Sequence, residues 1–145
     1  MTPTVPIVLN GLARTMLMDL APQVTAAYAG QTLQLAGMLS MMIAQEFERA
    51  AARLVEENGA VEALLADAAD VIGDRELARL AAVREPSLLI SALQARNSDL
   101  RGALTRLHAQ VEALDTPAAR DLEARIWAEL VQSTRRRLLD MAMPS

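Results

Sequence analysis

The 145-residue sequence has no cysteine, no lysine, one histidine (His108) and three aromatic residues, Tyr28, Phe47 and Trp127. Without cysteine there are no disulfide scaffolds, thiolate metal sites or cysteine nucleophiles, and a reducing cytoplasmic setting is the expected one. One histidine cannot supply the paired Glu-x-x-His ligands of a di-metal bundle or a His-x-x-x-His site. Glycine-rich phosphate loops, a Gly-x-Ser-x-Gly elbow and an EF-hand loop are missing too. The sequence therefore implies no cofactor and points away from an enzyme. Carboxylates alone could still meet a hard cation, at Glu46 with Glu62 or at Asp67 with Asp70, although solvated helix faces explain those acids more simply.

All 14 basic residues are arginine, set against 18 acids. With the abundance of alanine, this points to a GC-rich bacterial genome. Residues 1–74 hold three arginines and nine acids, three minus nine giving −6, while residues 75–145 hold eleven and nine, giving +2. An acidic chain with no dominant basic face is poorly suited to duplex nucleic acid, where phosphate neutralisation supplies most of the affinity. The opening Met-Thr-Pro-Thr-Val-Pro lacks the basic region and cleavage site of an export signal. Leu20 to Gln45 is uncharged and long enough to cross a bilayer, but its glutamines and hydroxyls would need partners in hydrocarbon, so no membrane span is expected.

What the sequence does contain is helix-forming material. Apolar residues make up 52% of it, and they are mostly alanine and leucine, with few of the β-branched and aromatic residues that favour strands. After an extended tail over residues 1–5, Pro6 can open a first helix with Val8, Leu12, Met16 and Leu20 on one stripe. Asp19 is placed to cap the next helix just before Pro22. That second helix runs toward Asn58-Gly59, a pair suited to stopping it, and spans about 55 Å at 1.5 Å per residue. Its second half turns Phe47, Ala50, Leu54 and Val61 one way, with Glu56 and Glu57 among the charges facing water. Residues 60–72 then form a separate helix ending at Gly73.

Asp74 caps a short helix that Pro86 stops, and Ser87 caps a long one. The long helix carries the clearest period in the chain: Leu89, Leu93, Asn97, Leu100, Leu104, Leu107, Val111 and Leu114, alternating three and four apart. Thr116-Pro117 starts the last helix, which extends to about Met141 on a stripe of Leu122, Ile126, Leu130 and Leu138 widened by Trp127 and Val131. The expected fold is all-α: one domain over residues 1–145, an up-and-down bundle of four main helices with one or two short accessory helices.

The functional signal is the uncharged stretch from Leu20 to Gln45. Seven helical turns bearing no ionised side chain should be shielded from water on nearly every side. Two arrangements achieve this: a second subunit laid against the helix, or a central helix wrapped within one chain. Ala36, Ser40 and Ala44, four apart, would admit a close neighbour, and Met38, Met41 and Met42 supply adaptable apolar surface. The preferred reading is a homodimer or protein-partner surface over these residues, in an accessory or regulatory protein acting by helix-mediated association. Asn97 belongs to the same reading: it either meets solvent where the seam ends, or lies buried, fixing register or pairing across a dimer axis. The alternative is an apolar or acyl ligand held in a methionine-lined interior by Tyr28, Gln31, Met38 and Met42. His108 beside the seam is structural or a proton switch, and Arg135, Arg136 and Arg137 either complement the helix dipole or bind an anion.

Overall fold

The computed structural model describes residues 2–139, and every regular element among them is helical. The main elements are α1 (Val5–Arg14), α2 (Ala27–Ile72), α3 (Arg75–Ala82), α4 (Ile90–Glu112) and α5 (Pro117–Arg136). The fold is all-α, with four main helices and α3 as the short accessory one. The expected end of the last helix at Met141 lies outside the described residues. The chain divides into two compact units, residues 2–50 with 139 and residues 51–138.

In the first unit, α1 starts from an extended Thr4 with Pro6 in its first turn, where a missing N–H costs nothing. The chain then widens into a π turn over Thr15–Leu20 and tightens into a 3-10 turn over Ala21–Gln23. Asp19 does not cap α2: its carbonyl accepts from the Gln23 side-chain amide, and the chain becomes extended at Val24 before α2 begins. The apolar stripe also differs from the expected one. Val8, Leu12 and Leu20 face solvent while Met16 is partly covered, and the better covered line lies one position on, at Leu9, Ala13, Leu17 and Ala21. The small residues on this second line let a neighbouring backbone come near, which the bulkier first line would prevent.

The second unit holds the larger core, built from Val61, Leu65 and Ala68 of α2, Leu100, Leu104, Leu107 and Val111 of α4, and Leu122 and Ile126 of α5. α2 does not stop at Asn58-Gly59 but continues to Ile72, so residues 60–72 are its last turns rather than a separate helix. Asn58 is committed to partners on another helix, and Gly59 keeps a negative φ. The stop comes at Gly73, the one glycine with a left-handed backbone (φ 71°), where the Asp74 N–H closes back on the Ala69 carbonyl. Asp74 caps α3 by accepting from the N–H groups of Glu76 and Leu77, and Thr116 caps α5 by accepting from Ala119 N–H.

Asn58 of α2 meets Asn97 of α4, and Ile72 shares a groove with Gln110 and Leu114, so α2 and α4 run in the same direction. α3 and the extended residues 83–89 return the chain between them. α5 runs back along α4, with Ser133 beside Arg101 and Trp127 beside His108. The up-and-down alternation is kept, with one descending leg made from a short helix and its extended tail. The α4 seam is buried from Leu93 to Val111, while its end residues Leu89 and Leu114 are exposed. On α5, Trp127 and Val131 face outward and the buried line passes from Ile126 to Ser133; Leu138, expected on this stripe, lies beyond the end of α5 and is exposed.

Candidate functional site

The uncharged part of α2 has two contrasting faces. Gly30, Leu33, Gly37, Met41 and Ala44, three or four apart, are turned inward. At Gly30 this line meets the carbonyls of Ala21 and Val24, and at Gly37 it meets Leu17 and the Ala13 carbonyl. A β-carbon at Gly37 would lie 2.6 Å from Leu17 Cγ and 3.2 Å from Ala13 O, so only glycine fits the approach as it stands. The close-packing line is therefore Gly30, Gly37 and Ala44, rather than the expected Ala36, Ser40 and Ala44. Ala36 and Ser40 are half-buried, and the Ser40 hydroxyl donates to the Ala36 carbonyl at 2.9 Å.

The other face is bare in the single chain. Leu35 (57% exposed), Leu39 (46%) and Ile43 (56%) follow one another at intervals of four, with Tyr28 and Phe47 continuing the line at either end. Within the first unit, α1 and the turns after it lie against the inward line of this stretch. The residues expected to form an interface divide between the faces: Met41 and Ala44 point inward, Met42 is half-buried, and Met38 is exposed. Of the residues proposed to hold a ligand, Tyr28 (83% exposed), Gln31 and Met38 are exposed and Met42 is half-buried.

The second unit contains a buried polar network that the sequence reading missed. Glu57, expected to face water, is 0% exposed. Its Oε1 accepts from Arg101 Nη1 at 2.6 Å and from Arg137 Nη2 at 2.8 Å, and its Oε2 accepts from Arg137 Nη2 at 2.8 Å. Arg101 also donates to Ser133 Oγ at 3.1 Å, tying α4 to α5. Burial pushes the Glu57 carboxyl upward, but the hydrogen bonds from Arg101 and Asn97 and the charges of Arg137 and Arg101 outweigh it, so the net shift is below 4.5. The carboxylate stays ionised and joins three helical segments. Four residues along its helix from Arg53, and followed by an asparagine, Glu57 looks like any solvated acid in the sequence; only the two distant arginines mark it.

Asn97 is buried and finds its partner within the chain. Its Nδ2 donates to Asn58 Oδ1 at 2.8 Å, and Asn58 Nδ2 donates to the Leu93 carbonyl at 3.1 Å. Both the solvent-facing reading and the pairing of Asn97 across a dimer axis give way to an intrachain amide pair. Its neighbour in sequence, Arg96, is 6% exposed and donates to Glu62 Oε1 and to the carbonyls of Leu80 and Val83. A cation at the last carbonyls of α3 is favourably placed against the helix dipole. It also anchors the extended segment beyond α3.

The remaining candidate groups are similarly engaged. Arg136 pairs with Glu129, and Arg137 with Glu57, so two of the three terminal arginines hold carboxylates of the chain. The Arg136 guanidinium is pushed above its ordinary range, chiefly by the Glu129 hydrogen bond, which outweighs the effect of burial. Of the carboxylates considered from the sequence, Glu62 is paired with Arg96 and Asp67 with Arg125. A cleft of about 660 Å³ opens between α2, α3 and the start of α4, lined by Val55, Gly59, Arg84, Leu88 and the Arg96–Glu62 pair. That pair is directed at the chain itself rather than at the opening. Among the described residues, no helix is long and apolar enough to cross a membrane.

No family model matches the chain, and neither a curated protein nor a solved structure matches it.

Proposed function

We propose that this protein acts by helix-mediated self-association, with the outward face of α2 laid against the same face of a second copy. The observation that carries the reading is the line Leu35, Leu39 and Ile43, each about half exposed, on a stretch with no ionisable charge between Asp19 and Glu46 apart from the Tyr28 phenol. Water-soluble monomers rarely leave an apolar strip of several helical turns bare, because covering it returns about 25 cal/mol for every Å² removed from water. Side chains four apart form the ridges that pack into the grooves of another helix.

A second copy is the economical occupant. A neutral face offers no charges by which a foreign partner would be selected, whereas two identical apolar faces complement each other about a two-fold axis. The inward face already uses its glycines on the chain's own α1 and the turn after it, so the outward one remains for the partner. The setting that accompanies this reading is an accessory or regulatory protein of the bacterial cytoplasm, consistent with the cysteine-free, arginine-only composition.

Light scattering on the purified protein tests it. A dimer of two 15.6 kDa chains, about 31 kDa, is expected. A 15.6 kDa particle persisting up to concentrations of about 100 µM would overturn the proposal.

A further inference from the structure

α4 and α5 bring together three groups within the second unit, on elements that take no part in the face proposed for association. His108 and Glu112 are four apart on α4 and so share one side of that helix. Glu123, from the second turn of α5, meets them across the interhelical groove. One ligand atom from each residue lies within 4.8 Å of the other two. His108 Nε2 is buried and has no hydrogen-bond partner, its nearest carboxylate oxygen, Glu112 Oε1, standing 3.5 Å away. Trp127 packs against the imidazole edge to face, with ring centroids 5.2 Å apart and planes at 87°, and holds the ring in place.

We infer that His108, Glu112 and Glu123 form a binding site for a divalent transition-metal ion of the zinc, cobalt or nickel class. Two carboxylates and a neutral imidazole balance a 2+ charge, and imidazole favours these metals over magnesium and calcium. Metal–nitrogen and metal–oxygen bonds of about 2.1 Å put two ligands of one ion no more than about 4.2 Å apart. The trio therefore closes around an ion by movements of about 1 Å, which the exposed Glu112 side chain can make. Without an ion, two carboxylates converge on a nitrogen that accepts no hydrogen bond, and neither is held by an arginine among the described residues. Four other acids beside α4 and α5 do have such an arginine: Glu57, Glu62, Asp67 and Glu129. Three protein ligands leave positions for water, so the site is of the open kind.

The only tryptophan in the chain reports on this site, because it touches the histidine ligand. Protein stripped with a chelator is titrated with nickel chloride while Trp127 emission is followed. The expected result is a saturable quench of at least half the signal at one ion per chain, reversed by an excess of zinc chloride and absent with magnesium or calcium at the same concentration. Glu123→Gln and Glu112→Gln, each checked for native helicity, should each weaken the apparent affinity at least tenfold. Because Glu112 is exposed, that variant remains informative if Glu123→Gln fails to fold. No change in Trp127 emission up to about 1 mM metal, or quenching that is unaltered in a folded variant, would overturn the assignment.

Discussion

Asn97 of α4 donates its side-chain amide to the Asn58 carbonyl oxygen of α2 at 2.8 Å, in a part of the molecule where both residues are almost wholly covered. Asn58 in turn donates to the Leu93 carbonyl, one turn back on α4. Because donor and acceptor must coincide, the pair fixes how far α4 slides along α2; leucines alone would tolerate a shift of one turn.

Replacing Asn97 with alanine should therefore cost about 1–3 kcal/mol, since it leaves Asn58 Oδ1 buried without a donor. In a double-mutant cycle with Asn58→Ala, urea denaturation should give a coupling of about 0.5 kcal/mol or more. Strictly additive effects would show that the two amides do not act as a pair.

Glu57→Gln should destabilise the second unit by roughly 2–4 kcal/mol at neutral pH, at or below the usual loss for a broken buried ion pair because Arg101 and Arg137 remain partly hydrated. Its pH dependence has a definite sign. The folded carboxyl titrates below its ordinary 4.5, so its stabilising contribution is complete above that pH and is lost as pH falls through the lower folded value. The wild-type protein should lose stability on acidification below 4.5 more steeply than Glu57→Gln does. Parallel stability curves for the two proteins would contradict the assignment.

Gly37→Val places methyl groups where Leu17 and the Ala13 carbonyl already stand. The expected cost is about 1–3 kcal/mol from overpacking, with hydrogen exchange accelerated in α1 and the first turns of α2. Gly59→Ala meets no atom within 4 Å and should be neutral or slightly stabilising, since alanine favours a helix interior by about 0.5–1 kcal/mol.

Leu39→Glu combined with Ile43→Glu puts two charges on the outward face of α2 without touching its inward line. The double variant should sediment as a monomer and keep its helicity. The melting temperature of the wild-type protein should rise with concentration, as it does when folding is linked to association, and that of the double variant should not. A variant that still associates would place the contact elsewhere.

Much of the fold was legible in the sequence because it rests on local rules. Asp74 and Thr116-Pro117 cap α3 and α5 as their chemistry dictates, Gly73 takes the left-handed turn, and the α4 seam is buried from Leu93 to Val111 in the alternation of threes and fours that its residues spell. Such features depend on neighbours a few residues apart. The lack of charge between Asp19 and Glu46 likewise marks an unusual helix from the residues alone.

Tertiary structure alone decided which of two adjacent stripes faces inward, at Ala13 and Leu17 rather than Leu12, and that Asn58-Gly59 continues a helix that its own propensities would end. It also decided that Glu57 is buried rather than solvated, and that Glu123 arrives beside His108. The physical reason is common to all of these. Each depends on a partner beyond the reach of local sequence, as Arg101 and Arg137 are from Glu57, and the energy of a buried charge or amide is set by whether that partner is there, which no local pattern records.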